Sequence, residues 1–258
     1  MSPPNKTDDS SESAASVAQT PLSKSVFRAV LLTAVAGCTE VTAYLDCDQL
    51  YAAIMTGNTV QLGIHFATGH WVKFMLVGYV IGLFFFTCII ASLIRRHLAQ
   101  PFMELVITSG LLMLASVVRL DPALNMVVEM PLLSLALAMQ GETISRFGGV
   151  SLQTLSTTNN IVRFSDAFAG RFISRRYLEK TGGEIPSLAE VLLPGLAWLT
   201  YGISAAFSAV AYQASRFSLL IPAALVVWAA ADFQREAKRI RKNRPPRPEN
   251  DKPEKPPH

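Results

Sequence analysis

Charge is what this chain is short of. Asp, Glu, Lys and Arg make up 16% of its 258 residues, against about 25% in ordinary soluble domains. The shortage is uneven. Phe74 to Ile94 holds no formally charged residue, and neither does Val191 to Ser215. A helix needs about 20 apolar residues to cross the ~30 Å hydrocarbon core of a bilayer, and both stretches reach that length. Helices of soluble domains average about 11–12 residues, which argues against a soluble bundle.

Reactive side chains are scarce too. There are three cysteines and four histidines. Cys38, Cys47 and Cys88 have no metal-ligand spacing and form no even disulfide framework; small buried thiols are the ordinary reading. His65 and His70 stand five apart, a poor spacing for two ligands on one helical face. No Gly-x-Ser-x-Gly, His-Glu-x-x-His or phosphate-binding loop occurs. The expectation is therefore no enzyme, no metal and no cofactor, with nothing driven by bound nucleotide. The net charge of +4 comes from the ends of segments rather than from a basic polar face, so nucleic acid is not an expected partner.

The N-terminus has no apolar core of a cleavable signal. Met1 to Gln19 is rich in Ser, Pro and acidic residues and buries too little to order itself. Three regions are expected: a disordered tail over 1–24, a membrane domain over 25–234, and a basic, Pro-rich tail over 235–258.

Six segments read as spanning helices: Val26 to Leu45, Phe74 to Ile94, Phe102 to Val118, Met130 to Ile144, Val191 to Gln213 and Phe217 to Phe233. Two more are ambiguous. Leu50 to Ala67 carries Thr56, Gly57, Asn58, Thr59 and Gln61 at its middle. Val150 to Gly170 is more polar still. Facing lipid, neither would be tolerated, so each is either internal or re-entrant. With six spans and a cytoplasmic N-terminus, Arg95, Arg96, Arg171, Arg175, Arg176 and the tail from Arg235 all fall inside, as the positive-inside rule requires. With eight spans, Arg95 and Arg96 move outside. Six spans plus two re-entrant or internal helices is the better fit, and both schemes place both termini on the cytoplasmic side of the cell membrane.

The chain also duplicates itself. A shift of 102 residues lays Glu40 on Glu142, Thr56-Gly57-Asn58 on Thr158-Asn159-Asn160 and Val60 on Val162. Beyond the motif the shift grows to about 120, pairing Gly82 with Gly202. The halves are about 25–119 and 123–234. Three spans per half would make them inverted. Repeated, polar, broken helices point to a transporter's midplane site, although small polar residues also serve as glue between membrane helices.

Glu40 and Glu142 interrupt apolar helices. An acid there costs about 2.5–3.5 kcal/mol on insertion scales, so it marks a function by default. Thr33, Gly37, Glu40 and Tyr44 share one face of the first helix, a small polar face suited to bundle or cavity. The alternative is a structural role, and Arg146, one turn after Glu142, could pair with it. In Met55-Thr56-Gly57-Asn58-Thr59, the glycine lets the backbone bend, and Asn58 and the hydroxyls offer donors and acceptors. These residues suit a small polar solute or ion, or satisfaction of a helix break.

Four blocks carry a family resemblance: Ala36-Gly37 with Glu40, Met55-Thr56-Gly57-Asn58-Thr59, Ala138-Met139-Gln140 and Gly148-Gly149-Val150-Ser151. Together, over about Phe27 to Phe233, the chain resembles the YoaK family of uncharacterised multi-pass membrane proteins. The resemblance implies about six spans and no substrate. The family often has Asp at the position of Glu40, Asn at that of Glu142, and Thr-Gly-Thr where this chain has Thr158-Asn159-Asn160. A site needing the shorter acid, or glycine at Asn159, is altered here.

The expected fold is all-α: a polytopic membrane helix bundle of two repeats. The expected function is a secondary transporter or permease of a small polar solute or ion, with Glu40, Thr56, Gly57, Asn58, Thr59, Glu142, Thr158, Asn159 and Asn160 as candidate site. The alternative is a non-transporting scaffold or envelope sensor. The lipid bilayer is the one partner the sequence demands; a homo-oligomer is compatible with it.

Overall fold

The computed structural model describes residues 22–98, 101–143, 146–147, 150–151 and 157–242. Among these the chain is helical almost throughout. The helices are α1 (Leu22–Asp46), α2 (Met55–Ala67), α3 (Trp71–His97), α4 (Pro101–Val118), α5 (Met130–Thr143), α6 (Thr157–Phe168), α7 (Arg175–Thr181), α8 (Leu188–Ala214) and α9 (Leu220–Lys242). One two-residue ladder pairs Arg146–Phe147 with Val150–Ser151. Most of both expected tails lies outside the described residues. The helical boundaries run further than the sequence reading: residues 22–24 belong to α1 and 235–242 to α9.

Four helical stretches are long and apolar enough to cross a membrane: Val26–Asp46, Trp71–His97, Pro122–Gly141 and Leu188–Ala214. Phe102–Val118 is apolar but shorter. α9 carries its charges in its last turns. The outward faces are what lipid requires. α3 exposes Phe85, Phe86, Ile89 and Ile90, and α8 exposes Leu199, Ile203, Phe207 and Val210. Water would penalise such faces, at roughly 25 cal/mol per Å² of apolar surface; hydrocarbon does not.

Local sequence explains where elements stop. Ser187 and Glu190 form a reciprocal capping box that opens α8, satisfying two backbone donors that a helix start leaves free. Asp121 accepts from the Ala123 N–H at 3.1 Å and starts a 3-10 turn, Pro122–Leu124. A π-turn over Asn125–Glu129 then leads into α5. Past α1, Asp48 and Gln49 both adopt left-handed backbone, at φ 51° and 62°. Two such residues in succession reverse the chain.

That reversal makes α2 re-entrant. After the turn, residues 50–54 run back along α1, so that Ala52 and Ala53 lie against Glu40. α2 starts there. Its second turn has come back to the turn itself, because the Gln61 amide donates to the Gln49 carbonyl at 3.1 Å. At 13 residues and about 1.5 Å per residue, α2 is too short to cross a ~30 Å core. The ambiguous segment Leu50 to Ala67 thus enters and leaves on one face.

Contacts at helix ends fix the directions of the rest. Asp46, closing α1, meets Arg119 just past α4, Asn125 just before α5, and Tyr212 near the end of α8. At the other face Arg28, near the start of α1, meets Asp232 and Glu236 on α9. So α1, α4 and α8 run one way, α5 and α9 the other, and α1 begins on the face where α9 ends. Four helices close a ring, α1 on α5, α5 on α4, α4 on α9 and α9 on α1. α3 packs outside α5 and carries α2; α8 packs outside α1 and carries α6.

Candidate functional site

Glu40 lies in the interior, 2% exposed. Its carboxylate accepts from the backbone N–H groups of Ala52 at 3.0 Å and Ala53 at 2.7 Å. Asn58, fully buried, clasps the same loop one turn into α2: its amide donates to the Tyr51 carbonyl at 2.8 Å and accepts from the Tyr51 N–H at 3.0 Å. Ser134 of α5 donates to the Ala52 carbonyl at 3.1 Å. This irregular stretch belongs to no helix or strand, and these three side chains take up its backbone groups. Gly57 leaves room for the Tyr51 ring, which a Cβ there would meet at 2.9 Å.

The face expected on α1 is a bundle face. Thr33 and Glu40 are buried, Gly37 packs on Ser204 and the Tyr201 carbonyl of α8, and Tyr44 stacks on Tyr51 at 4.9 Å between ring centroids. Around the re-entrant start, Glu40, Gly57 and Asn58 come together. Thr56 and Thr59 are exposed, and Thr59 donates back to the Met55 carbonyl. In the other half, Asn160 is buried in the first turn of α6, Thr158 is exposed and Asn159 is half-buried. The Glu142 side chain, its expected pairing with Arg146, and Gly148-Gly149 lie outside the described residues. α2 and α6 are carried on opposite flanks, by α3 and α8.

The sequence reading passed over a second cluster. Asp46, Arg119 and Glu129 stand at ends of spans, and the side chains of all three are enclosed. The Arg119 guanidinium pairs with Asp46 at 3.0 Å, donates to the Ser218 hydroxyl at 2.6 Å, and lies 4.8 Å from the Tyr212 ring centroid. Tyr212 donates to the other Asp46 oxygen at 2.7 Å. Glu129, completely buried, stands 4.0 Å from the Arg119 Nε, and neither of its oxygens receives a hydrogen bond. An open pocket of about 540 Å³ reaches this cluster, lined among others by Asp46, Arg119, Asn125, Tyr212 and Arg216. A smaller one of about 220 Å³ lies between the α1 turn, α2 and α3, beside Asp48, Gln61, His65 and Lys73. Cys47 donates to the Asn125 carbonyl at 3.5 Å, and burial pushes its thiol well above the ordinary range. Among the described residues no group of His, Cys, Asp and Glu could hold a metal ion on its own.

An all-α bundle with long apolar helices, lipid-suited faces and a re-entrant helix is a multi-pass membrane protein. Its family follows from the chain itself: residues 28–231 match the model of a family described as a protein of unknown function (DUF1275), and the protein belongs to this family, the YoaK family. Searches of curated proteins and of solved structures found no match.

Proposed function

We propose that the protein is a secondary transporter of a small polar solute or ion, built from two inverted halves. The observation that carries this reading is the matched pair of short helices. α2 begins at Met55 and α6 at Thr157, separated by the same 102 residues as the sequence duplication. Each buries an asparagine in its first turn, Asn58 and Asn160. The packing supports the pairing. Exchanging α1 with α5, α2 with α6, α3 with α8 and α4 with α9 turns each contact of the ring and its flanks into another of them. α1 and α5 run in opposite directions, as inverted halves require. Halves of this kind rock against each other to give alternating access. The basic residues Arg95, Arg96, Arg171, Arg175 and Arg176 and the end of α9 follow the face where the chain's described ends lie, which supports a cytoplasmic placement for it.

The deciding measurement uses the purified chain in liposomes, screened for solute and proton flux. Flux that falls in Glu40→Gln and Asn58→Ala while the protein stays folded supports a path past the re-entrant loop. Vesicles tight to every solute and to protons overturn the reading.

One observation favours a second reading, a membrane scaffold or envelope sensor. Glu40 and Asn58 direct their polar atoms at the chain's own backbone. A stable partner retained through purification, with tight vesicles, would select it.

A further inference from the structure

The Asp46–Arg119–Glu129 cluster is one positive charge short. Its members come from the end of α1, the turn after α4 and the π-turn before α5. The guanidinium is spoken for: it pairs with Asp46, donates to Ser218 and lies against Tyr212. Glu129 gains a 4.0 Å approach from Nε and lies within hydrogen-bond reach of the Asp46 carboxyl, which brings no positive charge. Cys47 beside it brings no positive charge, and Arg216 stands exposed on the wall of the pocket that reaches Asp46 and Arg119. A buried charge without a counter-charge costs several kcal/mol, so something must balance Glu129.

A second, independent group points to the same place. Asn125 is 9% exposed; its amide nitrogen donates to the Asp46 carbonyl at 3.2 Å, and its Oδ1 has no partner. Asn125 and Glu129 are four apart in a π-turn, close to one full turn, so they share a face. Buried polar atoms are nearly always satisfied. Here three acceptor oxygens from two neighbouring side chains are not, and one of those side chains, Asn125, lines the open pocket. π-turns occur frequently at functional sites.

We infer that Asn125 and Glu129, with Asp46 behind them, form a binding site for a small monovalent alkali cation, entered from the Arg216-lined pocket. The charge deficit is one, which a monovalent ion matches. The donors are all oxygen, the set that hard cations choose. A proton on Glu129 would satisfy one oxygen and at most one neighbour, leaving an acceptor unmet, whereas a cation takes all three. The site stands on its own geometry. Only its use as a coupling ion rests on the transporter reading above.

The test is binding, not flux. Thermal unfolding of the full chain in detergent is followed by tryptophan fluorescence, with NaCl or KCl replacing choline chloride at constant ionic strength. The expected result is a saturable rise of a few degrees in Tm with one alkali cation. The rise should vanish in Glu129→Gln and Asn125→Ala and survive in Asp232→Asn, at the opposite face. Glu129→Gln leaves Asp46 and Arg119 as a matched pair, so it should fold and melt in choline at or above the wild-type temperature. No cation effect on the wild type overturns the site, as does an equal effect in Glu129→Gln. So does a protonated-carboxyl infrared band lost in Glu129→Gln and indifferent to Na⁺ and K⁺, which would make the balancing ion a proton. A cation effect in a protein that transports nothing would keep the site and remove the transporter.

Discussion

Asn58 holds Tyr51 by both of its backbone groups, accepting from the N–H at 3.0 Å and donating to the carbonyl at 2.8 Å. An amide side chain is the one common group that can pair with a peptide unit in this two-way fashion. The pairing lets an irregular stretch of chain pass through the bundle outside any helix. Asn58→Ala removes both bonds and leaves Tyr51 to find other partners. An unpartnered buried polar group costs about 1–3 kcal/mol, so a loss of roughly 2–4 kcal/mol is expected. Thermal unfolding in detergent reads it. An unchanged melting temperature would mean that the clasp does not hold the loop.

Glu40 bonds the next two residues of the same stretch. Hydrogen bonds to a charged acceptor are worth about 1.5–3 kcal/mol each. Glu40→Ala should therefore cost about 3 kcal/mol or more, and Glu40→Gln, which keeps one acceptor oxygen, about half of that. The ordering Ala below Gln below wild type in melting temperature is the check. Equal losses would show that the two backbone bonds are not what the side chain contributes.

How much of this was legible in the sequence follows from what each residue's role depends on. α3 needed no tertiary information: a charge-free run from Phe74 to Ile94 can only sit in lipid. The start of α2 was legible through the Thr56-Gly57-Asn58 break in an apolar run, and Glu40 and Asn58 stood out because polarity is expensive where they lie. Their partners were not legible, because Ala52, Ala53 and Tyr51 take part through backbone atoms, which every residue has. Asp46, Arg119 and Glu129 were missed for a different reason. Each stands at the end of an apolar run, where charge is ordinary. Only the packing of α1, α4 and α5 encloses them together. One signal was available: two acids and one base, each at the end of an apolar run.

Among the described residues, Arg119 is the basic side chain that faces both Asp46 and Glu129. Arg119→Met keeps much of the volume but leaves two acids facing each other, and breaking a buried pair by removing one partner costs about 3–5 kcal/mol. The variant is expected to lose that much stability or to fail to insert. Adding Glu129→Gln should recover part of the loss, because it removes one of the two unpaired acids. A double variant no more stable than Arg119→Met would argue that Glu129 is not part of the same charge balance.

α1 and α8 touch where Gly37 has no side chain. A Cβ there would come within 2.7 Å of the Tyr201 carbonyl and meet the Ser204 hydroxyl. Gly37→Val should destabilise by about 1–3 kcal/mol, the usual cost of overpacking. Ser204→Ala in the same chain should restore only a minor part, since the backbone carbonyl stays in place. Full rescue by Ser204→Ala would show that the helices can separate slightly, and that the close approach is not fixed by the backbone.

The re-entrant course of α2 has a consequence for topology. α2 returns to the turn at Gln49, so His70 lies on the face where α1 ends. α8 reaches that same face only at Tyr212, through its bond to Asp46. Its start at Leu188, 27 residues of helix away, lies on the opposite face, and Arg171 is tied to Pro186 just before that start. Arg176 follows Arg171 closely. Reporters fused after His70 and after Arg176 should therefore report opposite sides of the membrane, the second cytoplasmic. If α2 and α6 both crossed, the two fusions would report the same side. That outcome would also make the halves parallel rather than inverted, and would remove the rocking mechanism along with the six-span arrangement.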